Sequence, residues 1–325
     1  MTTKTNFTKN DMIKILSNYK LGTLIDFEPL TKGTVQINFL LKTTNGKFVF
    51  KYYEKRSKNS VLFEANLIRY LKDKKYPCPA ILRNKHKKIV EIYNKKPYAI
   101  FEFVEGKHIE KPNKEQKKQL IKKVAELQNI TKNYRPSYKK YRWNYSVELC
   151  KKLARIKAKK INTINSKEKL KWLEMELSKL NLPKSLPKAI CHCDFDFSNV
   201  LFKNNKFNAL IDFDDSNYTY SLYDLICLTE PFVPSFNWNT WNKFKITDNV
   251  FNFKETKKVV HEYMRYRQLN NNEKIHLFDV YKLSILFDCV WYFKRGKAKD
   301  FYEKRKIDYL NACGRKEFYN KIFKK

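Results

Sequence analysis

The chain has 325 residues, a formal net charge of +35, 42% apolar residues and 15% aromatic residues, enough apolar surface to bury a core and to exclude general disorder. No apolar run approaches membrane-spanning length, and the polar start, Met1 to Met12, has no signal-like apolar core. The charge raises nucleic acid as a partner, but Lys far outnumbers Arg, is spread through the whole chain and accompanies the Asn-, Ile-, Phe- and Tyr-rich composition of an AT-rich genome. That is a solvated lysine surface, with neither nucleic acid nor membrane expected as a partner.

Seven cysteines with no CxxC pair read as a reduced, cytoplasmic protein, not a disulfide framework. Along the chain, Val35 to Leu41 and Lys47 to Tyr53 are β-prone runs flanking Thr43-Thr44-Asn45-Gly46, a hairpin signal because Asn and Gly tolerate positive φ. Helical spacing follows over Asn59 to Leu71, with Ser57, Asn59 or Ser60 as cap. Strand-like pieces at Ala80 to Leu82, Ile89 to Ile92 and Ala99 to Val104 end at Glu105-Gly106. The pattern then turns helical, with one helix over Lys114 to Ile130 and two within Val147 to Leu180. Pro183 and Pro187 precede a β-like stretch at Ala189 to His192. A second hairpin is expected from Val200 to Lys203 and Phe207 to Phe213, with Asn204-Asn205 at its tip. From Tyr223 onward the reading is helical, over Phe253 to Arg267, Glu273 to Lys294 and Asp300 to Phe318.

The expected architecture is therefore α+β: an antiparallel sheet with one helix over 1–104, a hinge at about 100–107, and a larger, mainly helical part over 105–325. The helical part holds the densest chemistry: His192-Cys193-Asp194-Phe195-Asp196-Phe197-Ser198-Asn199, then, across the hairpin, Leu210-Ile211-Asp212-Phe213-Asp214. Phosphoryl transfer needs a carboxylate to accept a hydroxyl proton and oxygen ligands for magnesium. The template H-R-D-x-x-x-x-N followed by D-F-G meets both needs. Asp194 falls on the base position, Asn199 five residues on, and Asp212 on the metal-binding Asp. The first piece alone is a modest signal; the two separated by a hairpin are far more specific.

These stretches resemble the small-molecule kinases related to aminoglycoside phosphotransferases, choline kinases and type II homoserine kinases, with their H-G-D-x-x-x-x-N, I-D-[FW] and Tyr/x-Asp-Leu. Tyr223-Asp224-Leu225 supplies the last piece. Asp214 stands where protein kinases have Gly, which favours a small-molecule acceptor. Tyr19-Lys20-Leu21-Gly22, Asn38-Phe39-Leu40-Leu41, Tyr53-Glu54-Lys55-Arg56, Cys78-Pro79 and Phe103-Val104-Glu105-Gly106 look most like type II homoserine kinases.

The resemblance implies a two-lobed protein-kinase-like fold and an ATP- and Mg2+-dependent transfer to the hydroxyl of homoserine or a related amino-alcohol, by a monomer or homodimer. Other acceptors of the family (choline, ethanolamine, methylthioribose, a sugar, an aminoglycoside) and a non-catalytic nucleotide-binding module are the competing readings. It implies Asp194 as base, Asn199 and Asp212 on magnesium, and Lys51 on the phosphates with Glu64 as its partner. Gly33 is the single glycine of a poor phosphate loop. Glu102 and Val104, in the hinge stretch Ile100 to Val104, would give adenine its backbone hydrogen bonds. His192 and Asp224 brace the catalytic loop. Asp196 and Asp214 are candidates for an acceptor ammonium, with a second metal as the alternative role of Asp214. Cys193 departs from the small residue of the pattern.

Overall fold

The computed structural model describes residues 5–30, 35–229 and 231–324. Helix α1 (Lys9–Leu16) starts at a reciprocal cap, Thr8 Oγ1 accepting from Asp11 N–H while the Asp11 carboxylate accepts from Thr8 N–H. Strands β1 (Leu24–Pro29), β2 (Ile37–Thr43) and β3 (Gly46–Tyr52) follow, then α2 (Lys58–Asp73), β4 (Glu91–Tyr93) and β5 (Lys96–Glu102). Next come α3 (Lys114–Thr131), α4 (Val147–Ile161), α5 (Ile164–Ser178), β6 (Lys188–Cys191), β7 (Val200–Lys203), β8 (Lys206–Leu210) and β9 (Asn217–Tyr220). The chain closes with α6 (Leu222–Cys227), α7 (Phe253–Met264), α8 (Asn271–Trp291) and α9 (Tyr302–Phe323), the last kinked at Gly314. The fold is mixed α+β, and no described helix is long and apolar enough to cross a membrane.

Contacts gather the chain into two compact units. The first comprises Met1–Gln116, Asn133–Arg142 and Asp196–Ser216; the second comprises Lys117–Lys132, Trp143–Phe195 and Asn217–Lys325.

The first unit is built on an antiparallel sheet of order β1-β2-β3-β5-β4. Alternation along β3 sends Phe50 and Tyr52 to one face, where they join Met12, Ile15, Leu41 and Ile100 in a closed apolar core. Each such side chain contributes ~1.5–3 kcal/mol on burial. Lys51, between them, is sent to the opposite face. The β2–β3 turn is centred on Thr44-Asn45, with Thr43 paired to Gly46. Asn45 does not take the positive φ that Asn-Gly suggests; only Gly46 does, at φ 126°. The expected strand at Ala80 to Leu82 shrinks to a single bridge, Ile81 to Phe101.

After β5, Gly106 lets the chain run against β7: a Cβ there would stand 2.9 Å from Leu201 Cβ. Lys107 and Phe202 exchange backbone hydrogen bonds of 2.9 and 3.0 Å, which tie the β7–β8 hairpin to the first unit. Asn204 and Asn205, at φ 51° and 60°, form its left-handed tip. The second unit is mainly helical, with the short β6–β9 ladder as its only sheet among the described residues.

Candidate active site

Lys51 Nζ lies 3.3 Å from Glu64 Oε1 and 2.7 Å from Asp212 Oδ1. The β3 alternation points the lysine at α2, and Ser57, capping that helix through Ser60 N–H, fixes its register. Val61, Glu64, Ala65 and Ile68 then fall on one buried face. Burial works against the Lys51 ammonium, but the Asp212 and Glu64 carboxylates outweigh it and hold its pKa well above the ordinary lysine value. Burial pushes the Glu64 carboxyl up, against the pull of Lys51. Asp212 keeps 43% of its side chain exposed, against 7% for Lys51, so it is the member of the trio open to a ligand.

Asp212 has left-handed backbone, φ 59° and ψ 66°, and opens the 3₁₀ turn Phe213–Asp215. This conformation ends the strand-like run at Leu210, earlier than the alternation suggests. Ile211 N–H donates to Asn199 O at 2.9 Å, so the residue beside Asp212 is tied to the backbone of Asn199. Asn199 itself ends a 3₁₀ turn capped by the exposed Asp196, whose Oδ1 accepts from Ser198 N–H at 2.7 Å. The hairpin between them thus holds the two residues on adjoining backbone within one unit.

Two arginines fasten this turn. Arg142 is buried and donates to the carbonyls of Phe213, Asp214 and Ser216 and, at 3.1 Å, to Ser60 Oγ on α2. Arg56 donates to Asp214 Oδ1 at 3.0 Å and to Asp215 Oδ1 at 2.7 Å. Gln36 Nε2 donates to Asp214 Oδ2 at 2.9 Å. Burial would raise the Asp214 carboxyl, but Lys51, Arg56 and Arg142 hold it below the usual carboxylate range. Both Asp214 oxygens are therefore engaged within the protein. Arg56 stands in a sequence stretch that carries the family likeness, but nothing local marks its partner. Arg142 follows Lys139-Lys140-Tyr141 and reads there as one more surface cation.

The residues expected at the hinge lie at the end of the sheet. Glu102 pairs with Phe48, and its carboxylate takes Lys72 at 3.0 Å. Val104 is partly exposed, and its backbone makes no hydrogen bond with a described residue, so it can serve a planar base. Gly33 lies outside the described residues.

The second unit supplies the other half of the motif. Asp224, fully buried on α6, accepts His192 N–H on Oδ2 at 3.0 Å and Cys193 N–H on Oδ1 at 2.9 Å. Burial nevertheless pushes its carboxyl up to about 7. These two bonds fix the backbone that ends in the exposed Asp194. His192 is buried with its ring 4.8 Å from that of Phe195. Cys193 occupies φ 66°, the conformation in which a glycine is at ease, and its Sγ accepts from Asn217 Nδ2 at 3.3 Å.

As a chemical assembly, the first unit offers a buried ammonium aimed at an open carboxylate, with an amide-bearing side chain on the adjoining backbone. That set suits phosphate oxygens and a hard cation. An Asp and an Asn leave most of a magnesium shell to phosphate and water, as such sites do. The second unit offers a carboxylate on a braced loop.

The description "Phosphotransferase enzyme family" matches residues 26–245. Among curated proteins, the chain is 29% identical to the homoserine kinase of Bartonella tribocorum over 259 residues, 77% of this chain and 78% of that one. It is 27% identical to the homoserine kinase of Bartonella henselae over 323 residues, 96% of this chain and 90% of that one. Among solved structures, amicoumacin kinase hAmiN, in complex with AMP-PNP, Ca2+ and Ami, aligns with a TM-score of 0.66 at 17% identity, covering 97% of this chain and 94% of that one. That likeness is one of fold.

Proposed function

We propose homoserine, or a closely related amino-alcohol, as the acceptor of this chain, which belongs to the phosphotransferase enzyme family and is a small-molecule kinase. The donor in this reading is ATP with magnesium. The observation that carries it is the Lys51–Glu64–Asp212 trio, a phosphate-positioning lysine held charged beside an open carboxylate, in a chain similar over 96% of its length to a homoserine kinase.

In the proposed mechanism Lys51 orients the α- and β-phosphates, and Glu64 orients Lys51. Asn199 and Asp212 would hold the magnesium, which when bound neutralises charge on the β- and γ-phosphates. Asp194 positions the acceptor hydroxyl and takes its proton as the oxygen attacks the γ-phosphorus. The new O–P bond forms in line with the breaking bond to the β-phosphate oxygen, and ADP leaves with that electron pair. The Asp224 hydrogen bonds to His192 and Cys193 hold the Asp194 loop for this step, and the Val104 backbone meets adenine.

The test is magnesium-dependent ADP release from the purified protein against homoserine, choline, ethanolamine, methylthioribose, sugars and aminoglycosides, with Asp194→Ala alongside. Release that requires homoserine and is lost in the variant supports the reading. Release with a different acceptor replaces the acceptor; failure to bind nucleotide at all sinks the assignment of Lys51, Asn199 and Asp212.

A further inference from the structure

Helix α6 is six residues long and carries Asp224 in its first turn. A helix that short does not hold itself in place, and the residue before it gives no help. Ser221 stands at the N-cap, where a serine ordinarily has extended backbone and turns its hydroxyl onto the helix. Here it makes no such bond, and its backbone is already helical, at φ −58° and ψ −25°. Its polar groups are spent on other elements of the second unit. The N–H donates to Pro187 O at 3.0 Å, the carbonyl accepts from Gln128 Nε2 at 2.7 Å, and the hydroxyl donates to Glu273 Oε1 at 2.6 Å. Ser221 is buried, so a partner lost from any of the three leaves a polar group unpaired.

Both side-chain partners are themselves fixed. Gln128 is buried on α3, and its Oε1 accepts from Tyr263 Oη on α7 at 2.9 Å, which sets the amide so that its nitrogen faces Ser221. That nitrogen also lies 3.7 Å from Sγ of Cys191, the residue before His192. Glu273 is buried in the first turn of α8, where a reciprocal cap with Asn270 occupies its Oε2. Oε1 is left for Ser221 and for Arg267, whose Nη2 donates to it at 2.6 Å and supplies the opposite charge. Ser221 is thus gripped from α3 by a neutral amide and from α8 by a charge-paired carboxylate.

The grip reaches the motif loop through one short piece of backbone. Asp224 follows Ser221 by one helical turn, and its two oxygens accept the N–H groups of His192 and Cys193 at 3.0 and 2.9 Å. A shift of Ser221 turns α6 and moves both acceptors together, and hydrogen bonds weaken steeply as their angle opens. A buried polar network rigidifies what it holds when every member is paired.

We propose that Gln128 and Glu273 are positioning residues for phosphoryl transfer, acting through Ser221 and Asp224 to fix the backbone that ends in Asp194. This rests on the kinase reading above and deepens it: the carboxylate that takes the hydroxyl proton is held in place from two helices that carry none of the motif. In sequence, Gln128 is one more position of an amphipathic helix and Glu273 a residue at a helix start.

The experiment compares the full chain as wild type, Gln128→Met, Ser221→Ala and Lys169→Met. Gln128→Met keeps the volume and removes the amide, and Ser221→Ala removes the Glu273 arm alone. Lys169→Met is the control: this buried lysine on α5 donates to the carbonyls of Phe293 and Arg295 and takes no part in the grip on Ser221. The readouts are kcat and nucleotide KM, and amide hydrogen exchange at His192 and Cys193, all taken well below the melting temperature of each variant. Gln128→Met should lower kcat roughly tenfold and speed exchange at both amides by a similar factor. Its nucleotide KM should stay as in wild type, because Lys51, Asn199 and Asp212 belong to the first unit. Ser221→Ala should change the same two quantities about threefold, and Lys169→Met should change neither. A Gln128→Met variant with wild-type kcat and exchange, or losses matched by Lys169→Met, would overturn the positioning role. Wild-type behaviour of Ser221→Ala would remove Glu273 from it. If Gln128→Met fails to fold, Ser221→Ala decides by the same readouts. Faster exchange in the variants of a protein that transfers phosphate to no acceptor would uphold the grip on the loop and defeat the kinase reading, so the two fail separately.

Discussion

Lys51 Nζ and Asp212 Oδ1, 161 residues apart in sequence, lie 2.7 Å from one another in the first unit. Glu64 holds the same ammonium from the other side at 3.3 Å. A lysine caught between two carboxylates stays charged at any working pH, and the more open of the two, Asp212, is the one an incoming cation would share. Replacing Lys51 by Met should therefore lower kcat/KM for the nucleotide at least ~100-fold. Glu64→Gln, which keeps an oxygen near Lys51 but removes the charge, should cost less, on the order of tenfold. Steady-state kinetics over nucleotide concentration checks both. Activity of Lys51→Met within a few-fold of wild type would remove the trio from the mechanism.

Arg142 binds three carbonyls of the turn that carries Asp212 and the hydroxyl of Ser60 at 3.1 Å. A lysine has three donors on one nitrogen and cannot span that set, whereas a guanidinium holds five in a fixed plane. Arg142→Lys should lower stability by ~2–4 kcal/mol and raise the half-saturating magnesium concentration. Urea unfolding and a magnesium titration of activity measure the two effects. A stability loss with an unchanged magnesium requirement would leave Arg142 a purely structural residue.

Local signals carried the parts of this molecule that depend on short spacings. A cap at Ser57, Asn59 or Ser60 announced α2, where the structure uses Ser57, and Asn204-Asn205 announced the β7–β8 tip, because caps and left-handed turns are chosen by one or two residue types. The motif residues were legible because phosphate chemistry restricts residue type at fixed offsets. Strand β9, Asn-Tyr-Thr-Tyr, was missed: four residues are too few for alternation to show, and its existence depends on pairing with β6. Strand β1 was missed because Pro29 at its end reads as a breaker, although an edge strand tolerates it. Helix α1 had its signal in Thr8 and Asp11, but eight residues is a short window for periodicity. Arg56 and Arg142 could not be found that way, since each acquires meaning only from a residue distant in sequence.

Cys193 tests how a side chain is carried where backbone conformation favours glycine. At φ 66° a non-glycine residue bears roughly 1 kcal/mol of strain. The thiol offsets part of it through partial burial and the Asn217 contact of 3.3 Å. Cys193→Gly should therefore keep activity and stay within about 1 kcal/mol of wild type in stability. Cys193→Val, β-branched at a positive φ, should be destabilised by more than ~2 kcal/mol and lose activity as the Asp194 loop shifts. Urea midpoints and ADP release for the two variants decide it; a Val variant as stable and active as wild type would show the loop to be tolerant.

Asp224 gives a pH dependence whose sign follows from its surroundings. In the unfolded chain an aspartate releases its proton near pH ~4, whereas burial in α6 pushes the folded carboxyl up to about 7. Between these values the folded protein holds a proton that the unfolded chain has lost. Stability from this group is thus full below the unfolded value, falls as pH rises toward 7, and is level above it. Asp224→Asn cannot titrate, so subtracting its stability from that of wild type cancels other buried carboxyls that act in the same direction, Asp288 and Glu303 among them. The difference should decline by ~3 kcal/mol between pH 5 and pH 8, measured by urea unfolding at intervals across that range. The variant should also be less active at every pH, because an amide has one acceptor oxygen for the two N–H groups of His192 and Cys193. A difference that does not change with pH would mean that the two hydrogen bonds outweigh burial and keep Asp224 ionised throughout, which would make the brace stronger at low pH than burial alone allows.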